Sequence, residues 1–355
     1  MIRIVRRPDP SRRRDIVTRL AAVFAALVCA SLIMAALGYN PVAVFSNIIV
    51  GSTGTAHRIR QTIVKAIPLT TLSLGVAVCF KMKFWNIGAE GQFYLGALFA
   101  TWTAYHFKTL PAGALLPLMF AASLIGGGLW ALIPAVLKSK FRTSEILVTL
   151  MLNYVATKFI TYLQYGPWKD PSAGGFAKMP KFVDAAVLPK LFGVHIGWII
   201  VLVLALAVHI LLAKTKLGYE ISVIGESETT ARYAGISVAG VTAAAVMIGG
   251  GLCGAAGFMQ ASAIEKSLTD QLSAGLGFTA VITAWLARLS APAVVVVSLL
   301  FAALLQGSAY IQTALQVPSA VADILQGVIL FFVLGSEFFL NYRLVRTQSS
   351  EKEAV

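Results

Sequence analysis

The sequence predicts an all-α integral membrane protein of about ten transmembrane helices, with both ends on the cytoplasmic side. Three observations carry that expectation. Hydrophobic residues make up 58% of the 355-residue chain against 12% charged, and the mean hydropathy is +0.80. A soluble chain of this length needs far more polar surface. The apolar residues gather into runs of membrane-spanning length. Finally, 19 of the 29 lysines and arginines lie on the cytoplasmic side if the chain starts there. That placement accounts for the formal charge of +14. No basic groove with interleaved aromatics is present, so nucleic acid is not an expected partner.

The elements follow in order. Residues 1–15 form a basic cytoplasmic tail with Arg3, Arg6, Arg7, Arg12, Arg13 and Arg14. The expected spans are 16–38, 62–80, 91–107, 114–137, 145–163, 195–213, 237–259, 275–288, 291–307 and 321–340. The first lacks a small-residue cleavage site and is read as a retained span. Residues 164–194 are a polar, Pro-rich external loop, 214–236 an internal loop, and 341–355 a second cytoplasmic tail. Segments 86–100 and 272–287 each pass from a Gly-bearing polar stretch into an apolar helix. This is a faint echo of the inverted repeats with broken helices used by transporters. Cys29, Cys79 and Cys253 sit in apolar runs without CxxC spacing and read as buried hydrophobes. The histidines are scattered, and no metal site is expected.

Polar side chains inside such runs are the chemical signal. Asn86, Glu90 and Gln92 lie among Gly88, Gly91 and Gly96, and Asn153 and Gln260 sit within or at the edge of later spans. Polar groups at membrane depth face protein or a wet cavity. These five are the substrate-pathway candidates, since amides can hydrogen-bond a passing solute. The competing reading is that they join helices to one another. For Glu90 a role at a helix start is favoured, because a helix N-terminus welcomes an anion. Gly126–Gly128 and Gly249–Gly251 lie inside spans, where glycine permits close packing, as the Gly250/Gly254 pair does.

The internal loop is patterned. Ser227 is an N-cap candidate, Glu228 puts negative charge on the first turn, and Glu228 and Arg232 are spaced i,i+4 in the favourable order. Gly235 can end the helix in the left-handed conformation. A helix of about two turns does not persist alone in water, so it needs a surface to lie on. The chain carries no phosphate-binding loop, nucleophile elbow or His-Glu-x-x-His element, so it is not expected to be an enzyme.

Three stretches carry a family resemblance. They are Pro68 through the Asn86-Ile-Gly-Ala-Glu-Gly-Gln92 segment, Ser144 through Asn153-Tyr154, and Gly218-Tyr-Glu-Ile through Ala231-Arg-Tyr-Ala-Gly-Ile236. Together they resemble the permease subunits of ABC importers for simple sugars and nucleosides, within the wider branched-chain amino acid and ribose permease group. The length and the Met-Leu-Asn-Tyr element look most like the longer permease of the nucleoside branch. The resemblance implies a type II importer-like permease in a bacterial cytoplasmic membrane. Its implied partners are ABC ATPase subunits that bind the ATP, a second and shorter permease, a substrate-binding lipoprotein and the lipid bilayer. It also implies no cofactor in this chain, and a coupling helix in 214–236 whose ATPase contacts are Glu226, Thr230, Ala231, Arg232, Tyr233 and Gly235. Ser144 and Ser227 stand where the family pattern leads one to expect Asn. The alternative function is an ion-coupled secondary transporter that uses its own intramembrane carboxylates.

Overall fold

A computed structural model describes residues 2–6 and 12–346, so parts of both expected tails (7–11 and 347–355) lie outside the described residues. The strand β1 (Ile2–Arg6) precedes α1 (Arg12–Ala36), α2 (Pro41–Thr53), α3 (Ala56–Lys81), α4 (Ala89–His106), α5 (Ala112–Phe141) and α6 (Glu145–Tyr165). A hairpin of β2 (Lys190–Leu191) and β3 (Val194–His195) leads into α7 (Gly197–Lys214), α8 (Lys216–Glu226), α9 (Glu228–Tyr233) and α10 (Val238–Gln260). The chain then passes through a π-turn (Ala261–Glu265) to α11 (Leu276–Leu286), α12 (Ala291–Ala314), α13 (Ser319–Asn341) and β4 (Tyr342–Arg346).

Each of the ten expected spans falls on one helix. Among the described residues six of these helices are long and apolar enough to cross a membrane: α3, α5, α6, α7, α10 with its π-turn, and α12. A seventh crossing is available if α1 from Ala21 and α2, bent by 117°, count as one broken span. The helix α4 misses that standard because Glu90, Gln92 and His106 lower its hydropathy. The α11 helix is simply short at 11 residues.

The chain divides into two units, with the boundary inside α12. One joins 1–54 to 304–355. Its core packs Ala30, Met34, Val44, Ile48, Ile311, Ala322 and Leu325. Sequence reasoning passed over α2, although its start carries a signal: Asn40 Oδ1 accepts from Val42 N at 3.0 Å, and Pro41 opens the helix. The terminal segments contain strand as well as tail, because β1 pairs antiparallel with β4 from Ile2↔Arg346 to Arg6↔Tyr342. That pairing holds segments 2–6 and 342–346 side by side.

The other unit, 55–303, is organised around α10. Its glycines meet three helices at backbone distance. A Cβ built on Gly254 would come within 3.0 Å of Ser123 O, and one on Gly96 within 3.0 Å of Gly254 Cα. One on Gly250 would strike Ala131, and one on Gly75 the Gly249 carbonyl. The glycine triplets are therefore the seams of α3, α4 and α5 with α10, as their place inside spans led us to expect.

Candidate functional site

Helix α4 is built into the bundle interior, with only a few of its side chains exposed. Its start is a knot of polar groups. The chain leaves α3 at Lys81, turns through Lys83 at φ 58°, and reaches Asn86, which has no exposed surface. Asn86 and Gln92 face each other amide to amide. Asn86 Nδ2 donates to Gln92 Oε1 at 3.1 Å, and Gln92 Nε2 donates to Asn86 Oδ1 at 2.9 Å. The Asn86 carbonyl also accepts from Gly88 N at 3.0 Å. Asn153 reaches in from α6: its Oδ1 accepts from Gly91 N at 2.8 Å and its Nδ2 donates to Ile87 O at 2.9 Å. Thus three of the five pathway candidates meet, with their polar atoms occupied by each other and by backbone.

Two of those bonds satisfy backbone groups, so Asn153→Ala leaves the buried Gly91 N and the half-buried Ile87 O unpaired. Each unsatisfied buried group costs about 1–3 kcal/mol. The variant should lose up to about 2–6 kcal/mol of stability by that measure, read as a lowered midpoint of thermal unfolding in detergent. An unchanged midpoint contradicts the clamp.

Glu90 lies one residue into the first turn of α4 and is 7% exposed, yet it caps a different helix from its own. Its Oε2 accepts from Gly277 N at 2.8 Å, at the start of α11. The expected partnership of carboxylate and helix N-terminus is present, and the N-terminus belongs to α11. The two echoing segments therefore meet at their helix starts. Gly277 has no room for a side chain, since a Cβ there would lie 2.5 Å from Glu90 N. At its other end α11 places Trp285 flat on Trp85, with ring centroids 5.4 Å apart.

Between the π-turn and α11 the chain is irregular and runs back along α4. Tyr94 Oη donates to Asp270 O at 2.6 Å, and Asp270 N donates to Gln164 Oε1 at 2.8 Å. Non-helical backbone at membrane depth is tolerated only when covered by protein or lining a wet cavity. Sequence reasoning missed Tyr94 and Gln164. Tyr94 follows Glu90 by one helical turn, and Gln164 ends an apolar run, so both left a signal. Gln260, at the end of α10, differs from the other candidates in having a buried Oε1 without a hydrogen-bond partner.

The second constellation is α9. Ser227 Oγ accepts from Thr230 N at 3.2 Å, Arg232 Nη2 meets Glu228 Oε1 at 2.7 Å, and Gly235 takes φ 75°. Cap, ion pair and terminator stand where the pattern put them. Glu226, Thr230, Arg232, Tyr233 and Gly235 are exposed, Tyr233 at 89%. Ala231 is fully buried and seats the helix. Clefts of about 1080 Å³ and 700 Å³ flank the ridge, the first on the Glu228 and Arg232 side and the second on the Ala234 to Ser237 side. In the larger, Lys138 Nζ bonds Glu145 Oε1 at 2.6 Å and lies over the Phe84 ring.

The helix α8, which sequence reasoning left as loop, ties this ridge to the knot. A Cβ on Gly225 would come within 3.0 Å of Lys81 O and 3.3 Å from Met82 Cα. A displacement of α8 thus acts directly on the turn that carries Asn86. Among the described residues no three His, Cys, Asp or Glu side chains are grouped to hold a metal ion.

Comparison with known proteins adds an independent observation. A family profile described as "Branched-chain amino acid transport system / permease component" matches residues 58–334. The chain is similar to the Glucose ABC transporter permease protein TsgB13 of Haloferax volcanii, 35% identical over 92% of this chain and 89% of the relative. It is 30% identical to the Guanosine ABC transporter permease protein NupP of Bacillus subtilis, over 92% of this chain and 94% of the relative. A second guanosine permease protein of that organism, NupQ, is 32% identical over 62% of this chain and 71% of its own length.

Proposed function

The chain belongs to the family of permease components of branched-chain amino acid transport systems, and from that membership we propose that it forms the route for a nucleoside or simple sugar in an ATP-driven importer. It is a multi-pass membrane transport subunit of an ABC transporter and not an enzyme. The printed substrates of its relatives, glucose and guanosine, both carry a hydroxylated sugar ring, and that shared feature supports the solute class. An external binding protein delivers the solute, a separate ATPase binds and hydrolyses ATP, and the membrane is the cytoplasmic membrane of a bacterium. The similarity to both NupP and NupQ of one organism supports a second, shorter permease as partner.

The observation that carries the coupling role is the exposed ridge of α9 between two clefts, on the side predicted to be cytoplasmic. In this proposal the ATPase grips Glu226, Thr230, Arg232, Tyr233 and Gly235, with Ala231 as the seat beneath. The solute passes along a route that includes Asn86, Glu90, Gln92, Asn153 and Gln260, whose pairings exchange as the bundle opens. Ion-coupled transport is not favoured, because the intramembrane Glu90 is engaged by Gly277.

The Glu228–Arg232 pair is exposed and contributes only about 0.3–0.5 kcal/mol to the fold. Arg232→Glu should therefore leave membrane insertion and thermal stability unchanged. Solute-stimulated ATP hydrolysis by the assembled complex should fall at least roughly tenfold, a 1.4 kcal/mol effect on coupling. Full stimulation in that variant refutes the docking role.

A further inference from the structure

The predicted external loop is stitched to the irregular chain between α10 and α11. Ser262, the second residue of the π-turn, has no exposed surface and uses both halves of its hydroxyl on that loop. Its Oγ donates to Ala186 O at 2.6 Å and accepts from Leu188 N at 3.2 Å. Phe182 N donates to Lys266 O at 2.9 Å, just past the end of the π-turn. Gln164, at the end of α6, donates through Nε2 to Ala177 O at 2.9 Å while its Oε1 accepts from Asp270 N. Phe182, Ala186 and Leu188 are buried, so these joints are sealed from solvent.

The stitched segment is strained. A π-turn closes i→i+5, one residue more than an α-turn, and such bulges are frequent at functional sites. Lys266 leaves it at φ 56°, and Ala274 at φ 46° precedes Gly275 at φ 81°, the residue that opens α11. Left-handed backbone is unfavourable for a residue with a side chain and persists where surrounding contacts over-determine it. Here those contacts come from the external loop at one end of the segment. At the other they come from α4, through Tyr94 on Asp270 and Glu90 on Gly277. The same turn leaves Gln260 Oε1 buried and without a partner, an acceptor that this arrangement does not use.

Taking the transport reading as its premise, we propose that the π-turn is a two-state hinge latched by the external loop, with Ser262 as the positioning residue of the latch. Seating of the binding protein displaces the loop, Ser262 loses Ala186 O and Leu188 N, and the turn rewinds to α-helix. Rewinding is a discrete step: losing the extra residue rotates the chain that follows by about 100°, the angle per residue of an α-helix. That rotation carries residues 266–275 with it and draws Gly277 off Glu90. Arrival of solute outside thereby loosens the link between α4 and α11. The released hydroxyl is not left unpaired, because a serine inside an α-helix can bond the carbonyl four residues back, here that of Phe258.

The test uses the full complex in vesicles, with and without solute-loaded binding protein. Ser262→Ala removes the latch, so ATP hydrolysis without binding protein should rise at least about fivefold, the low end of allosteric coupling. The further stimulation by binding protein should shrink by the same factor. Removing a serine that only packs the turn gives a different result, lower hydrolysis in both conditions. That outcome, or no change, overturns the hinge. Hydrogen exchange in the wild-type complex decides independently, and alone if Ser262→Ala does not fold. Loaded binding protein should speed amide exchange in peptides covering 266–277 at least about fivefold; unchanged exchange there also overturns the hinge. Solute accumulation by the wild-type vesicles reports the transport reading separately, so failure of one is distinguishable from failure of the other.

Discussion

Gly254→Leu should abolish recovery of folded protein. A Cβ at that position meets Ser123 O on one side within 3.0 Å and Gly127 Cα at 3.1 Å, and Gly96 packs against the same residue. Three helix backbones converge on one hydrogen atom's worth of space, and none of them can rotate away as a side chain would. Overpacking a core that can adjust costs about 1–3 kcal/mol. Here α10 must separate from α4 and α5 along its length, so the loss exceeds that range. The measurement is the yield of monodisperse protein in detergent and its thermal midpoint, with Gly113→Leu as control. Gly113 has nothing within 4 Å of a built Cβ and should be neutral. Normal yield and midpoint for Gly254→Leu contradict the packing described for α10.

Glu90→Ala carries the largest expected effect on transport that spares the bundle. Glu90 is the group that joins the start of α4 to the start of α11. Hydrogen bonds to a charged group contribute about 1.5–3 kcal/mol. Losing this one should lower uptake by the full complex by roughly 10- to 100-fold on the scale of 1.4 kcal/mol per tenfold. Glu90→Gln keeps an oxygen acceptor for Gly277 N and should fall between Ala and wild type. That ordering separates loss of the link from loss of charge alone. Wild-type uptake by Glu90→Ala reduces the residue to packing. The prediction also follows from contact geometry, because α11 is held at both ends. Glu90 holds its first turn and the Trp85 ring its last. Trp85 and Asn86 sit on the turn against which Gly225 of α8 presses. A pull on α9 therefore has a contiguous route to both helix starts.

What was legible in the sequence is what is decided locally. Ser227, the Glu228–Arg232 spacing and Gly235 specify α9 within nine residues, and each does what its spacing implied. The glycine triplets were readable as seams because glycine inside an apolar run has few other uses. The choice of partner was not legible. Nothing in the sequence near Glu90 says that it meets Gly277, 187 residues away, and nothing near Asn86 says that its amide closes on Gln92. Both depend on where α4 lands after the turn at Lys83. The helix α8 was passed over although its buried positions Gly218, Ile221, Ile224 and Gly225 recur at helical spacing, because the helix is short and two of the four are glycine. In the structure those glycines let α8 approach the backbone of α7 and of the α3 end.

In the function proposed above, this chain is a gate worked from outside itself, by an ATPase docked on α9. Purified chain alone, reconstituted in liposomes with ATP and with either sodium or proton gradients, should accumulate no labelled guanosine or glucose. The same liposomes should accumulate solute once the ATPase, second permease and binding protein are added. Uphill uptake by the lone chain contradicts the account.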